Sequence, residues 1–454
     1  MEKIYFIGIN GIGMSGLAKI MSVKGYKVKG ADICTNYVTE ELLKMGIEVF
    51  NNHDAENVKD VDFVIASSAI KETNAEYDYA VKNNIKILKR GELLAKLLNE
   101  SNGIAIAGTH GKTTTTSLMS MLLIEKDPTI VVGGILPIIG SNSKVGYGDY
   151  FIAEADESDN SFLYMKPKYS IITNIDRDHI EVHGNIDNIK KSFLKFIENT
   201  EKEVLVCLDC NNIKSILDKV DRNKITTYGI DSKNADVVAE NIEVIDKKTF
   251  FDVYIGGKNR GRYFINIPGK HNILNSLPTI YLALKFGITE EKIYELLSQF
   301  KGSKRRYDIL FEGYPCDNKK INIKIIDDYA HHPTEIKATL NAAKSIENSR
   351  IVAIFQPHRY SRINFLLDEF EGCFDVADKL LMLPIYEAGE ENIYNIDVDK
   401  LLSKIEHKNF EVMSNEKDIR KYIIRAKKDT VFIFMGAGNI STYAHNIVDT
   451  FIEE

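Results

Sequence analysis

At 454 residues the chain exceeds what one ordinary hydrophobic core supports and predicts two to four domains. It is 44% hydrophobic and 27% charged with a formal net charge of -7, a composition that fits a soluble globular protein and argues against nucleic acid as a partner. No apolar run approaches the ~18 residues needed to span a bilayer, so no membrane insertion is expected.

The N-terminal MEKIYFIGINGIG lacks a basic stretch followed by an apolar one, so no secretory signal is expected and a cytoplasmic location is. Five scattered cysteines (Cys34, Cys207, Cys210, Cys316, Cys373) suit a reducing compartment rather than a disulfide framework. Cys207 and Cys210 form a C-x-x-C without a second pair. Because Cys207 ends the apolar run VLVCL, it reads as a buried strand residue.

Taken in chain order, KIYFIG (3–8) is a short apolar run followed by a glycine-rich turn and a helical pattern through Leu17, Ile20 and Met21. Strand signals at 26–31, 62–67 and 85–88 alternate with helical ones, as in a parallel sheet with right-handed crossovers. A polar segment, NESNG (99–103), reads as a linker. A second series follows with GIAIAG, a helix after Lys112, DYFIAEA (149–155) and YSIITN (169–174). From about 236 to 267 the period shifts to two, which predicts a small antiparallel sheet. A third series holds NIKIIDD, IVAIFQ, KLLML and VFIFMGAG. The expected divisions are residues 1–100, 101–311 and 312–454, all α/β.

Two loops stand out for phosphate chemistry. Gly11-x-Gly13-x-x-Gly16 follows a strand, and Asp32 ends the next one, as in dinucleotide-binding sites. A nicotinamide-dependent dehydrogenase is one reading. Any diphosphate ester, a UDP-sugar included, gains equally from such amides at a helix N-terminus. The second loop, GTHGKTT (108–114), has the GKT core of a phosphate loop, but Ile106 stands where the first glycine of G-x-x-x-x-G-K-[ST] belongs. Its amides can cradle phosphate, Lys112 can neutralise β/γ oxygens and the Thr113 hydroxyl can ligate Mg²⁺. EADESD (154–159) and TNIDRDH (173–179) end further strands with carboxylates and His179, suited to a hard cation or simply to a solvated loop and a helix cap. DDYAHHPTE (327–335) and FQPHRYSR (355–362), expected at neighbouring strand ends, look like an anion-binding wall.

The ordered set GINGIGMSG, GTHGKTT, EADESD, TNIDRDH, PGKHNILN, RRYD, DDYAHHPTE, FQPHRYSR and YEAGE resembles the Mur ligases from end to end, in particular members that join L-alanine to UDP-N-acetylmuramate. The resemblance implies a UDP-sugar-binding Rossmann-like domain, a central ATP-binding domain and a C-terminal Rossmann-like domain. It implies ATP and Mg²⁺ as cofactors, and an acyl phosphate made on the lactyl carboxylate and captured by the amino acid.

Residue by residue, the resemblance gives nucleotide contacts to Gly108, Thr109, His110, Gly111, Lys112, Thr113, Thr114, His271, Asn272, Asn275, Arg306 and Asp328. Thr113, Glu154 and His179 would hold Mg²⁺; Gly11, Gly13, Ser15, Asp32, His53 and Ser68 would form the UDP side. Tyr329, His331, His358, Arg359 and Arg362 would line the amino-acid pocket, with Lys112, His179, Arg306, His331 and Arg359 in catalytic roles. Asn10, Ala31 and Asn74-Ala75 depart from the usual family residues. Phe193 stands where several relatives carry a carbamoylated lysine, so no such modification is expected. The alternatives within reach of the same motifs are a ligase that adds a recycled murein peptide, a dehydrogenase and a phosphate-loop NTPase without an acceptor. A monomer or weak homodimer is expected.

Overall fold

The computed structural model describes residues 2–67, 69–315 and 320–452, so Ser68 and Cys316 lie outside the described residues. The chain divides into two compact units. One comprises Met1–Ile175, Lys190–Tyr228 and Pro278–Thr289, and the other Asp176–Ile189, Gly229–Leu277 and Glu290–Glu454.

The first unit opens with a five-stranded parallel sheet of β1 (Lys3–Ile7), β2 (Lys27–Ala31), β3 (Glu48–Phe50), β4 (Phe63–Ala66) and β5 (Lys86–Lys89), in the order β3-β2-β1-β4-β5. Ile4 to Ile7 of β1 are all buried, as expected of a strand covered by helices on both faces. The order reverses at β1, so the glycine loop that follows it lies at a switch point, where open α/β sheets bind ligands.

The same unit holds β6 (Asn102–Ala107), β7 (Thr129–Leu136), β8 (Ser141–Lys144), β9 (Tyr150–Glu154), β10 (Tyr169–Ile172), β11 (Glu203–Cys207) and β12 (Ile225–Gly229), ordered β12-β11-β10-β6-β9-β7-β8. β6 runs parallel to both β10 and β9, so residues after β6, β9 and β10 gather at one edge. Cys207 ends β11, buried as expected, and that burial pushes its thiol up to about 12, which leaves it inert.

In the second unit, β13 (Val237–Ile245), β14 (Lys248–Ile255) and β15 (Lys258–Ile265) form the antiparallel meander that the period-two stretch predicts. The remaining strands are β16 (Asp308–Gly313), β17 (Ile323–Asp328), β18 (Arg350–Phe355), β19 (Lys379–Met382), β20 (Phe410–Val412) and β21 (Thr430–Met435), in the order β16-β17-β21-β18-β19-β20. Alternation splits the core between the two faces: Ile326, Ala353, Phe355 and Ile433 pack on one side, Ile325, Val352, Ile354 and Phe432 on the other. Each such buried Ile or Phe contributes roughly 1.5–3 kcal/mol.

Two details differ from the sequence reading. β16 pairs antiparallel with β17, so the 311/312 division falls inside a strand of this sheet. β17 and β18 are not neighbours, because β21 lies between them and is parallel to both. The sequence offers no cue to this, since β21 comes last in the chain and its apolar run fits any central position.

Candidate active site

The loop after β6 is built for backbone crowding. Gly108 sits at φ 135° and Gly111 at φ 83°, values that side-chain-bearing residues rarely adopt. A Cβ on Gly108 would lie 2.1 Å from Thr173 Oγ1. Thr173 Oγ1 donates to the His110 carbonyl at 2.6 Å, and the Asn174 side chain clasps His110 through both its carbonyl and its N–H. The loop after β10 therefore props the loop after β6. Helix Lys112–Leu122 starts immediately with no acidic residue in its first turn, leaving its N-terminal field for an anion.

Lys112 Nζ curls back to the carbonyls of Gly108 (2.6 Å) and Thr109 (3.1 Å) and pairs with Glu157 Oε1 at 2.8 Å. Burial works against its charge, but the facing carboxylates of Glu157 and Asp156 outweigh that and raise its pKa, so the ammonium stays charged. Burial also pushes the Glu157 carboxyl up. Glu157 appeared in the sequence only as one of four crowded acids; its pairing with Lys112 is tertiary. Glu154 Oε1 accepts the Gly133 N–H at 3.0 Å, and a Cβ on Gly133 would meet Glu154 Oε2 at 2.8 Å. A Cβ on Gly134 would sit 3.3 Å from Thr113 Cγ2. Gly133 and Gly134 thus make room for the Glu154 carboxylate and the Thr113 side chain, residues that carry hard oxygens of the kind that suits Mg²⁺.

In the second unit, the residues after β17 and β18 gather as one wall. Asp328 accepts main-chain N–H groups on both oxygens, from Tyr307 and Ala330, each at 2.8 Å, and burial raises its carboxyl to about 6. It pins the turn carrying Arg306, whose flanking residues Arg305 and Tyr307 adopt φ 61° and 51°. Both arginines lie over the Tyr329 ring, at 4.7 and 5.2 Å. The Tyr329 and His331 ring centroids are 5.2 Å apart, and those of His331 and His358 6.2 Å apart. The interposed β21 separates the two loops without parting these side chains. Arg305, which the sequence reading passed over, donates to the Gly436 carbonyl just beyond β21 at 2.7 Å. Arg359 has φ 66° and lies 3.9 Å from Glu390.

Three family models match the chain: "Mur ligase family, catalytic domain" over residues 3–102, "Mur ligase middle domain" over 106–283 and "Mur ligase, glutamate ligase domain" over 317–438. The chain belongs to the Mur ligase family. The UDP-N-acetylmuramate–L-alanine ligase of Fusobacterium nucleatum is 64% identical, covering 99% of this chain and 97% of the relative. That of Dictyoglomus turgidum is 42% identical over 97% of this chain and 95% of the relative. The crystal structure of UDP-N-acetylmuramate-alanine ligase from Thermotoga maritima aligns with a TM-score of 0.81 at 31% identity, covering all of both chains. A murein peptide ligase from Psychrobacter arcticus aligns at 0.71 over 99% of both chains, and at 23% identity it shows the fold alone.

The glycine loop of this Mur ligase is braced from several sides. Asp32 Oδ2 accepts the Asn10 N–H and Oδ1 the Cys34 N–H, each at 3.0 Å, so the carboxylate braces its own loop. Asn10 extends the brace, its amide donating to the Cys34 carbonyl at 2.7 Å. A Cβ on Gly16 would meet Ser143 at 2.9 Å, and Asn142 donates to the Ile12 carbonyl at 2.6 Å, so the third glycine lets helix Ile12–Val23 approach β8. Gly13 faces Arg90, which also lies 3.5 Å from Asp156 and which no sequence motif flagged. Buried Ser15 donates to the Ile12 carbonyl at 3.0 Å. His53 Nδ1 meets the buried Glu76 at 2.7 Å.

Asn272 and Asn275 are buried and joined side chain to side chain at 3.3 Å. His179 adopts φ 52° beside Asp178 and Glu181. Phe193 is fully buried, its ring edge-on to Phe162 with centroids 5.3 Å apart.

Three histidines are held neutral. Burial, aided by Arg306, lowers His271 to about 4; burial and Arg362 lower His331 to about 3; burial, Arg362 and Arg359 lower His358 to about 4. The unfolded chain then binds more protons between about pH 4 and 6.5, so these groups' contribution is present above that window and lost as pH falls through it. Asp328, raised to about 6, opposes them over part of the range. We expect stability to fall by about 1.4 kcal/mol per pH unit for each net proton taken up on acidification. Urea titrations of wild type and His331→Gln from pH 7 to 4.5 check this, with a shallower slope expected for the variant.

Proposed function

We propose that this ligase joins L-alanine to the lactyl carboxylate of UDP-N-acetylmuramate, with ATP converted to ADP and phosphate, in cytoplasmic peptidoglycan precursor synthesis. The observation that carries the proposal is end-to-end likeness, at 64% identity, to a relative bearing that name. The local geometry is of the kind this chemistry needs.

A lactyl carboxylate oxygen attacks the γ-phosphorus, ADP leaves, and the resulting acyl phosphate is open to the alanine amine. The tetrahedral adduct then expels phosphate. Negative charge accumulates on phosphate oxygens, so fixed cations and positioning supply most of the acceleration. Lys112, held charged, is placed to leave Glu157 for the β/γ oxygens, and the 108–111 amides cradle the same group. Thr113, Glu154 and His179 would hold Mg²⁺, which when bound neutralises phosphate charge. Arg306, fixed by the turn that Asp328 pins, faces the phosphates; His271, Asn272 and Asn275 contact the nucleotide.

His331, whose lowered pKa of about 3 makes it a weak base, is the candidate hydrogen-bond acceptor that orients the alanine amine. Its Nδ1 lies 2.8 Å from the Tyr329 carbonyl and 3.4 Å from Glu335, two acceptors that put the proton on Nδ1. Nε2 is then unprotonated and able to accept. His358 receives the Arg362 guanidinium on Nδ1 at 3.1 Å, which fixes the opposite tautomer. Arg359 and Arg362 suit the alanine carboxylate, since a guanidinium fork matches a carboxylate. Gly11, Gly13, Ser15, Asp32, His53 and Ser68 are assigned to the UDP-sugar.

Phosphate release measured with UDP-N-acetylmuramate, ATP and a panel of L-alanine, glycine, L-serine and a murein tripeptide tests the reading. We expect the highest kcat/KM with L-alanine. Release supported only by the tripeptide, or release independent of any amino acid, would overturn it.

A further inference from the structure

Resting on the reading above, we infer that Asp178 is a positioning residue that ties the amino-acid pocket to His179, so that the arginine wall and the metal side of the site are set together. Asp178 and His179 are consecutive in the segment Asp176–Ile189, which shares a compact unit with the C-terminal sheet. The side chains of Asp178 and Arg362 are only 11% and 7% exposed. Arg362 Nε donates to Asp178 Oδ1 at 3.2 Å, and the same oxygen accepts the main-chain N–H of His179 at 2.9 Å. Asp178 Oδ2 lies 3.7 Å from His179 Nε2. On its other side Arg362 Nη1 reaches His358, whose ring stacks on Tyr386 with centroids 5.6 Å apart and planes 7° apart. One carboxylate therefore touches both groups.

Each contact has a physical consequence. A guanidinium this buried requires a counter-charge, and Asp178 supplies it. With Nε held, the rest of the fork is aimed rather than free to swing, which is what bidentate capture of a carboxylate demands. His179 sits at φ 52°, a conformation a histidine keeps only when its surroundings fix it, and the bond from its N–H to Asp178 is one such fixture. His179 is the N-cap of the short helix Ile180–His183, which has no side-chain cap, so helix capping explains neither the bond to the His179 N–H nor the one to Arg362.

The test is a double-mutant cycle in the full-length enzyme. Arg362→Lys touches no proposed metal ligand, yet we expect it to raise the KM for L-alanine about tenfold and to raise about threefold both the Mg²⁺ half-saturation and the dissociation constant for Mn²⁺ followed by its paramagnetic resonance signal without turnover, with the KM values for ATP and UDP-N-acetylmuramate within about twofold. In an Asp178→Ala background the same change should leave the Mg²⁺ half-saturation where Asp178→Ala alone put it. Asp178→Asn, which keeps an acceptor for His179 N–H, replaces Asp178→Ala if the latter unfolds, and the same non-additivity is expected. An unchanged Mg²⁺ half-saturation in Arg362→Lys, or equal shifts in both backgrounds, overturns the inference. If wild-type phosphate release does not depend on L-alanine, the functional reading itself fails; if it does and the cycle is additive, only the coupling through Asp178 fails.

Discussion

Replacing Lys112 by alanine abolishes alanine-dependent phosphate release and leaves the affinity for UDP-N-acetylmuramate within about twofold, because the residues assigned to that substrate lie on a separate sheet. The loss expected is at least two to three orders of magnitude in kcat, the scale seen when one preorganised donor to a developing anion is removed. The ammonium does two jobs. It holds the 108–111 loop through the carbonyls of Gly108 and Thr109, and it is the cation facing Glu157, which is buried. Truncation therefore removes the counter-charge facing a buried carboxylate and should also cost about 3–5 kcal/mol of stability. The two effects separate on adding Glu157→Gln: the double variant regains much of the stability and none of the turnover. Calorimetric titration with UDP-N-acetylmuramate, urea unfolding and a phosphate assay check the three parts. Turnover that survives while UDP-sugar affinity disappears would contradict the assignment of Lys112.

The pattern of what was legible in the sequence has a physical basis. Parallel strands buried on both faces leave continuous apolar runs such as KIYFI and VFIFM, and the loops that follow them carry the polar chemistry, so strand ends and candidate residues could be read together. Strand order is a different matter. Nothing in DDYAHHPTE or FQPHRYSR says that β21, which begins only at Thr430, inserts between their strands. Residues whose role depends on a partner from another element were equally hidden. Glu157 looked like any member of an acidic run, Arg90 belonged to no motif and Arg305 was passed over within RRYD, until Lys112, Asp156 and Tyr329 came into contact with them. Asp32 shows a second hidden layer: the sequence places it at the end of the strand after the glycine loop, and the fold adds that both its oxygens brace the loop around Asn10 and Cys34. A motif fixes where a side chain starts, and tertiary packing decides what it meets.

Gly108→Ala should eliminate measurable ATP binding and destabilise the central sheet by about 3 kcal/mol or more, combining backbone strain with overpacking. Ile106 occupies the place of the missing leading glycine and is fully buried in β6, so the tight turn begins at Gly108 instead. At φ 135° an alanine is strained whatever the space around it, and its Cβ would meet Thr173 Oγ1 at 2.1 Å and the Asn174 backbone at 3.1 Å. Only the first of these contacts is with a side chain that can be cut away. Adding Thr173→Ala relieves that overlap but also removes the hydroxyl that donates to the His110 carbonyl, and it leaves φ unchanged. The double variant should therefore regain part of the stability while nucleotide affinity, followed by calorimetry with ATP, stays lost. Full recovery of ATP affinity in the double variant would mean that Gly108 is required only for packing against Thr173. Failure to recover it would locate the requirement in the backbone path itself, which sets the direction of the Thr109 to Lys112 amides and which side-chain-bearing residues rarely follow.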